Sequence, residues 1–209
     1  MVNLDVSVEA FNGKNHIVID FDGVIANTPE LKSQWIKEKL NLDVPSGYTD
    51  SKYCIPLIGE TNYELMLEEV GNSQNLLEIE GAREGIIKLK KLGFNLRIVT
   101  GRRPERLELA RNWLVENDMV QHFDDLLGTN RNSKAPLIRI HNTYAVIDDE
   151  MKYLMDLDKE ILKILLTGQG QCQNCVCYLR YKNQNNIVCA NNWETAVKLI
   201  EFPELKCRS

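Results

Sequence analysis

The chain has 209 residues, of which 44% are hydrophobic and 26% charged, with a formal net charge of −5 and a pI of about 5.4. That length suits one full domain with a small insert, and the acidic balance argues against a nucleic acid polymer as partner, because holding its backbone takes a basic surface. No basic segment followed by an apolar core opens the sequence and no apolar run reaches the ~18 residues that span a bilayer, so the expectation is a cytoplasmic protein without a membrane partner.

In chain order, HIVIDF (16–21) is a short apolar run that reads as a buried strand, ended by Asp22 and Gly23. PELKSQWIKEKLNL (29–42) and TNYELMLEEVGN (61–72) have helical spacing, and the Pro-, Gly- and Ser-rich stretch between them reads as loop. AREGIIKLKKLG (82–93) predicts a helix stopped at Gly93. NLRIVTG (95–101) predicts a second strand. RPERLELARNWLVEND (103–118) follows as a helix with Leu107, Ala110, Trp113 and Leu114 on one face. SKAPLIRIHN (133–142) reads as a helix capped by Ser133, TYAVIDD (143–149) and EILKILLTG (160–168) as strands, and NNWETAVKLIEF (191–202) as a helix capped by Asn192.

Strands alternating with helices imply an α/β fold with a doubly wound parallel sheet, and such sheets bind ligands beyond the carboxyl ends of their strands. Residues 29–80 do not fit the alternation and are read as a small helical cap inserted after the first strand, with 1–28 and 81–209 forming the α/β core. The plainer alternative is a surface excursion without a role.

The strand ends converge on one edge. Asp20 and Asp22 are two apart and so face the same way; Asp148 and Asp149 end another strand. Buried carboxylates this close need a cation, and a hard oxygen set suits Mg²⁺. One acid of the first pair can then be an ionised nucleophile while the other carries a proton. Thr100, followed by Gly101, is placed to hold a phosphoryl oxygen, and Lys134 to neutralise nucleophile and phosphate together. Singly, Thr100 is an ordinary strand-end residue and Lys134 a solvated lysine. Arg102 and Arg103 face either the substrate's phosphate, a second anionic group, or solvent at a helix start, with Glu105 and Glu108 near enough to pair with them.

VIDFDGVIANT, RIVTGR, Lys134 and YAVIDDE come in the order and rough spacing of the four motifs of the haloacid dehalogenase-like (HAD) superfamily, which the chain resembles over residues 16–150. The first motif matches at Asp20, Asp22 and Gly23, with Thr28 one position late. The resemblance implies a Rossmann-like fold and Mg²⁺-dependent phosphoryl transfer. Asp20 would be the nucleophile and Asp22 the general acid and base. Asp20, the Asp22 carbonyl and Asp148 would bind the metal, with Asp149 joining through water or just behind. An acid at Asp22 is similar to the phosphatase branch, and the insert looks like a C1 cap of the deoxynucleotidase-like and sugar-phosphate phosphatases. The expected function is hydrolysis of a small phosphomonoester, with phosphomutase or phosphotransferase activity, or an idle ligand-binding fold, as alternatives.

Two features stay open. Cys172, Cys175, Cys177 and Cys189 admit a zinc site, but the surrounding sequence reads as a hairpin with inward-facing thiols, the favoured reading. Trp35, Tyr48, Tyr53 and Tyr63 offer rings for stacking a base, or for packing the cap's own core, the favoured role for Trp35.

Overall fold

In the computed structural model, which describes residues 14–73, 75–167 and 187–203, six strands lie side by side, all parallel. They are β1 (His16–Ile19), β2 (Asn95–Thr100), β3 (Asp125–Gly128), β4 (Thr143–Asp148), β5 (Leu162–Leu166) and β6 (Ile187–Ala190). Their order across the sheet is β3-β2-β1-β4-β5-β6. The order reverses between β1 and β4, which opens a crevice at the carboxyl ends of those two strands.

Strict alternation divides the sheet's side chains between two apolar layers. Ile17, Ile19, Leu96, Ile98, Ala145, Ile147 and Ile164 face α4 (Ala82–Lys91), α5 (Pro104–Glu116) and α8 (Trp193–Glu201). Val18, Val99, Val146 and Leu165 face the other way, onto α6 (Ala135–Arg139) and α7 (Met151–Met155). This is a Rossmann-like, doubly wound α/β arrangement. Asn192 caps α8 by accepting a hydrogen bond from the Thr195 N–H, and Gly93 follows α4 with a φ of +88°.

Three helices stand outside the alternation: α1 (Thr28–Leu40), α2 (Ser51–Ile58) and α3 (Glu60–Gly71). They share a separate apolar cluster of Trp35, Ile36, Val44, Cys54, Ile58, Tyr63, Met66 and Val70. Helix α2 falls in the stretch read as loop. Its turn-rich composition is overridden by Asp50, whose side chain accepts from the Tyr53 N–H, and by burial of Cys54 and Ile58. Two strands also differ from expectation. β3 was not anticipated, because a four-residue, half-buried edge strand has too little pattern to announce itself. β6, the expected second arm of a hairpin, pairs in parallel with β5. The first arm, with Cys172, Cys175 and Cys177, lies outside the described residues. Cys189 is half-buried in β6. No helix among the described residues is long and apolar enough to cross a membrane.

Trp193 fastens the turn after β1 from behind. Its ring is buried against Gly85, where a Cβ would lie 2.4 Å from the indole, and its Nε1–H donates to the Val24 carbonyl at 2.8 Å. Trp193→Ala removes both packing and hydrogen bond, and is expected to destabilise the fold by about 3–5 kcal/mol in denaturant titration.

Candidate active site

The crevice between β1 and β4 receives Asp20, one residue past the end of β1, and Asp148, the last residue of β4. The Asp20 N–H still bonds to the Ile147 carbonyl, so the strand pairing itself holds the two acids side by side. Between them lies Lys134, 1% exposed at the start of α6. Its ammonium is 2.9 Å from Asp20 Oδ2 and 2.7 Å from Asp148 Oδ2, and sits over the Tyr153 ring. Backbone donors take the other oxygens: the Phe21 N–H donates to Asp20 Oδ1 and the Glu150 N–H to Asp148 Oδ1. The lysine is therefore a buried counter-ion, not a solvated residue.

Asp149 completes the cluster. Ligand oxygens of Asp20, Asp148 and Asp149 all lie within 4.8 Å of one another. Asp149, expected to join the metal through water or just behind the others, stands close beside them. Three carboxylates then face one ammonium, an uncompensated negative charge in a buried place. No hydrogen bond or ion pair holds the Asp149 carboxylate among the described residues. This donor set of hard oxygens with excess negative charge fits a divalent cation such as Mg²⁺. The close approach of Asp149 also explains Gly23, which turns with a φ of +77°: a Cβ there would lie 2.1 Å from Asp149 Oδ2.

Asp22 is elsewhere. Its carboxylate is held by Arg102 in a two-point pair, Nε to Oδ2 and Nη2 to Oδ1, each at 2.8 Å. The Thr100 hydroxyl is 3.5 Å from Asp22 Oδ2. Arg102 also lies over the Phe21 ring, 4.7 Å from its centroid. So the structure brings Asp20, Lys134, Asp148 and Asp149 into one cluster and leaves the Asp22 carboxylate out of it. It also occupies Arg102, expected to meet substrate, with an internal partner. The anticipated pairing with Glu105 and Glu108 is not seen: Arg103 reaches Glu64 on α3, and Glu108 pairs with Arg111.

These surroundings drive the charges apart. Burial raises the Asp20 pKa to about 7; Lys134 opposes this, while Asp148 and Asp22 add to it. Burial, then Asp20 and Asp148, push Asp149 well above the carboxylate range. Burial works against the charge of Lys134, but Asp148 and Asp20 outweigh it and raise its pKa. Burial would also raise Asp22, yet the Arg102 charge and hydrogen bonds hold it at about 2.

A cavity of about 230 Å³ opens over these groups, lined on the core side by Asp20, Thr100, Gly101 and Asp149 and on the insert side by Thr28, Lys32 and Tyr63. Arg103, Arg106, Arg131 and Tyr153 also line it. Of the aromatics singled out in the sequence, Tyr63 reaches the cavity. Trp35 is in the core of the insert, and Tyr48 and Tyr53 are exposed, edge to face with each other. Arg106 had a sequence signal, standing three residues after Arg103 in the first turn of α5. Arg131, in the loop after β3, had none.

No family model and no curated protein matches the sequence. Solved structures do. A HAD-superfamily hydrolase from Ehrlichia chaffeensis superposes with a TM-score of 0.53 at 16% identity, over 88% of this chain and 95% of that one. A haloacid dehalogenase-like family protein from Streptococcus pneumoniae gives 0.61 at 12% identity, over 88% and 98%. A chain described as a predicted phosphatase, from Clostridium acetobutylicum, gives 0.61 at 17% identity, over 90% and 98%. The chain has the haloacid dehalogenase-like fold. At such identities the likeness is one of fold, and the chemistry is argued from the residues.

Two outcomes follow from the geometry. Gly23→Ala drives a methyl group into Asp149 and forces a left-handed alanine, so it should lower stability and distort the acidic cluster, read by denaturation and by loss of divalent-ion binding. In the metal-free protein, Asp20 has a folded pKa of about 7 against an ordinary 3.8, so its favourable contribution is complete below about pH 4 and lost as pH rises through 7. Asp20→Asn removes that loss. The metal-free variant should match the parent below about pH 4 and exceed it near pH 8 by on the order of 4 kcal/mol.

Proposed function

We propose that the chain is a Mg²⁺-dependent phosphatase of a small phosphomonoester, a nucleotide or a sugar phosphate. One observation carries the reading: a buried lysine bridges two of three clustered aspartates at the point where the strand order reverses. The HAD-like fold supports it. Asp20, Asp148 and Asp149 would hold the metal, together with the Asp22 backbone carbonyl. When bound, the metal would offset their negative charge and draw electron density from the phosphoryl oxygens.

Each residue then has a task. Asp20, favoured in its ionised form by Lys134 and by the metal when bound, attacks phosphorus and forms an aspartyl-phosphate while the ester oxygen departs with a proton from Asp22. Asp22 then takes a proton from water, whose oxygen attacks phosphorus; inorganic phosphate leaves and Asp20 is regenerated. Lys134 and the Thr100 hydroxyl steady the phosphoryl oxygens, with the backbone at Gly101 beside them. Asp22 can carry a proton only after Arg102 lets go of it, since the pair holds it ionised. Substrate entry is the event expected to open that pair. Helices α1–α3 act as a cap over the cavity, with Tyr63 presenting its ring to a substrate.

Release of inorganic phosphate from a panel of nucleotides and sugar phosphates tests the reading. Turnover is expected with Mg²⁺ and abolished by a chelator. Asp20→Asn should lower it by a factor on the order of 10³ or more while the far-ultraviolet circular dichroism is retained. Undiminished turnover in that variant would overturn the mechanism.

A further inference from the structure

The chain is acidic overall, yet the cavity over the aspartate cluster carries both signs of charge. Lys32, Arg102, Arg103, Arg106, Arg131 and Lys152 line it against Asp20, Asp22, Asp149 and Glu150. Arg102 is taken up by Asp22. Three other guanidiniums converge from two places. Arg103 immediately precedes α5 and Arg106 is three residues further on. Arg131 comes from the loop after β3, whose backbone is tied to the phosphate-side turn: the Arg131 N–H donates to the Gly101 carbonyl at 2.8 Å and the Asn130 N–H to the Arg102 carbonyl at 3.2 Å. Arg131 adopts a left-handed φ of 65°, a conformation uncommon outside glycine and asparagine.

One carboxylate meets them. Glu64, reaching down from α3, places Oε1 2.5 Å from Arg131 Nη1 and Oε2 3.6 Å from Arg103 Nη2. Each oxygen thus faces a different guanidinium. Arg106 makes no ion pair among the described residues. Its pKa is lowered first by burial, with Glu64 opposing and then Arg103 and Arg131 adding like charge. Glu68 acts on Arg106 at longer range, and Glu60 and Glu68 line an adjoining cavity beside Arg103 and Arg106, but among the described residues Glu64 is the carboxylate ion-paired within this group and Arg106 is left without such a contact.

We propose that Arg103, Arg106 and Arg131 form a second anion subsite beside the phosphoryl site, so that the substrate is a phosphomonoester bearing a second anionic group. Glu64 occupies this subsite when no substrate is bound. The inference rests on the phosphatase reading above and narrows it. A carboxylate and a second phosphoryl group share the chemistry that the guanidiniums recognise.

Two matched pairs of substrates test it: phosphoglycerate against glycerol phosphate, which replaces the carboxylate by a hydroxymethyl group, and propanediol bisphosphate against its monophosphate. The full-length protein with Mg²⁺ should favour the member bearing the second anionic group, in at least one pair, by about tenfold or more in kcat/KM. Which pair shows the larger preference identifies the anion. Arg106→Gln and Arg131→Gln should each cut that ratio by about tenfold, while Arg111→Gln, on the exposed side of α5, should leave it unchanged. Glu64→Gln should raise the ratio by freeing the arginines. If Glu64 is only a fastening between α3 and the core, that variant loses thermal stability with no change in ratio, and the proposal fails. It also fails if both wild-type ratios are near one, or if Arg106→Gln lowers both members equally. Should no phosphomonoester turn over, the phosphatase reading falls, and calorimetric titration decides the subsite separately. Tighter binding of phosphoglycerate than glycerol phosphate, lost in Arg106→Gln, supports it; equal binding overturns it.

Discussion

The ammonium of Lys134, shared between Asp20 and Asp148, is the contact on which the rest of the site depends. A buried charge of either sign is unfavourable alone, and removing one partner of such a set leaves the others uncompensated. Both acids are fixed by the strands that carry them, because the Asp20 N–H is bonded to the carbonyl that precedes Asp148. Helix α6 brings the lysine up from the opposite face of the sheet. The arrangement is under-neutralised by design of its composition: adding Asp149 makes three carboxylates to one cation. That surplus of hard oxygens fits a divalent cation, while burial first, then Asp148 and Asp22, raise the pKa of Asp20 against Lys134.

Asp20 and Asp22, two residues apart, end in opposite electrostatic settings. Phe21 between them points the other way, packed edge-on to Trp113 on one side and under Arg102 on the other. The same arginine that stacks on Phe21 grips Asp22. Without a ligand, the pKa of Asp20 is thereby raised and Asp22 held ionised, the reverse of the protonation states proposed for turnover, so a bound cation at Asp20 and release of Asp22 by Arg102 would have to invert the pair. In the proposed cycle the Asp22–Arg102 contact would have to part before Asp22 could carry a proton.

Much of this was legible in the sequence because the information is local. Asp20, Asp22, Thr100, Asp148 and Asp149 each end an apolar run, and strands in such a fold deliver their ends to one edge. Lys134 was nameable, but its burial was not, since nothing in SKAPLIRIHN shows that the side chain turns inward. The Arg102 pairing was invisible for a similar reason: partners eighty residues apart leave no periodic trace. β3 was too short to signal, and α2 was hidden by Pro56 and a turn-rich neighbourhood until Asp50 and tertiary burial decided it. Arg131 and Glu64 meet only because the insert folds back over the β3 loop, a relation between distant segments that composition cannot reveal.

The central claim is that Asp20 becomes covalently phosphorylated. The direct measurement is to quench the protein during turnover with Mg²⁺ and a phosphomonoester, reduce it with borohydride, and locate the modified residue by peptide mass spectrometry. An acyl-phosphate on Asp20 would appear as homoserine at position 20, and the account predicts that product there, absent when substrate is omitted. Turnover under the same conditions with an unmodified Asp20, or with the modification on another residue, would contradict it.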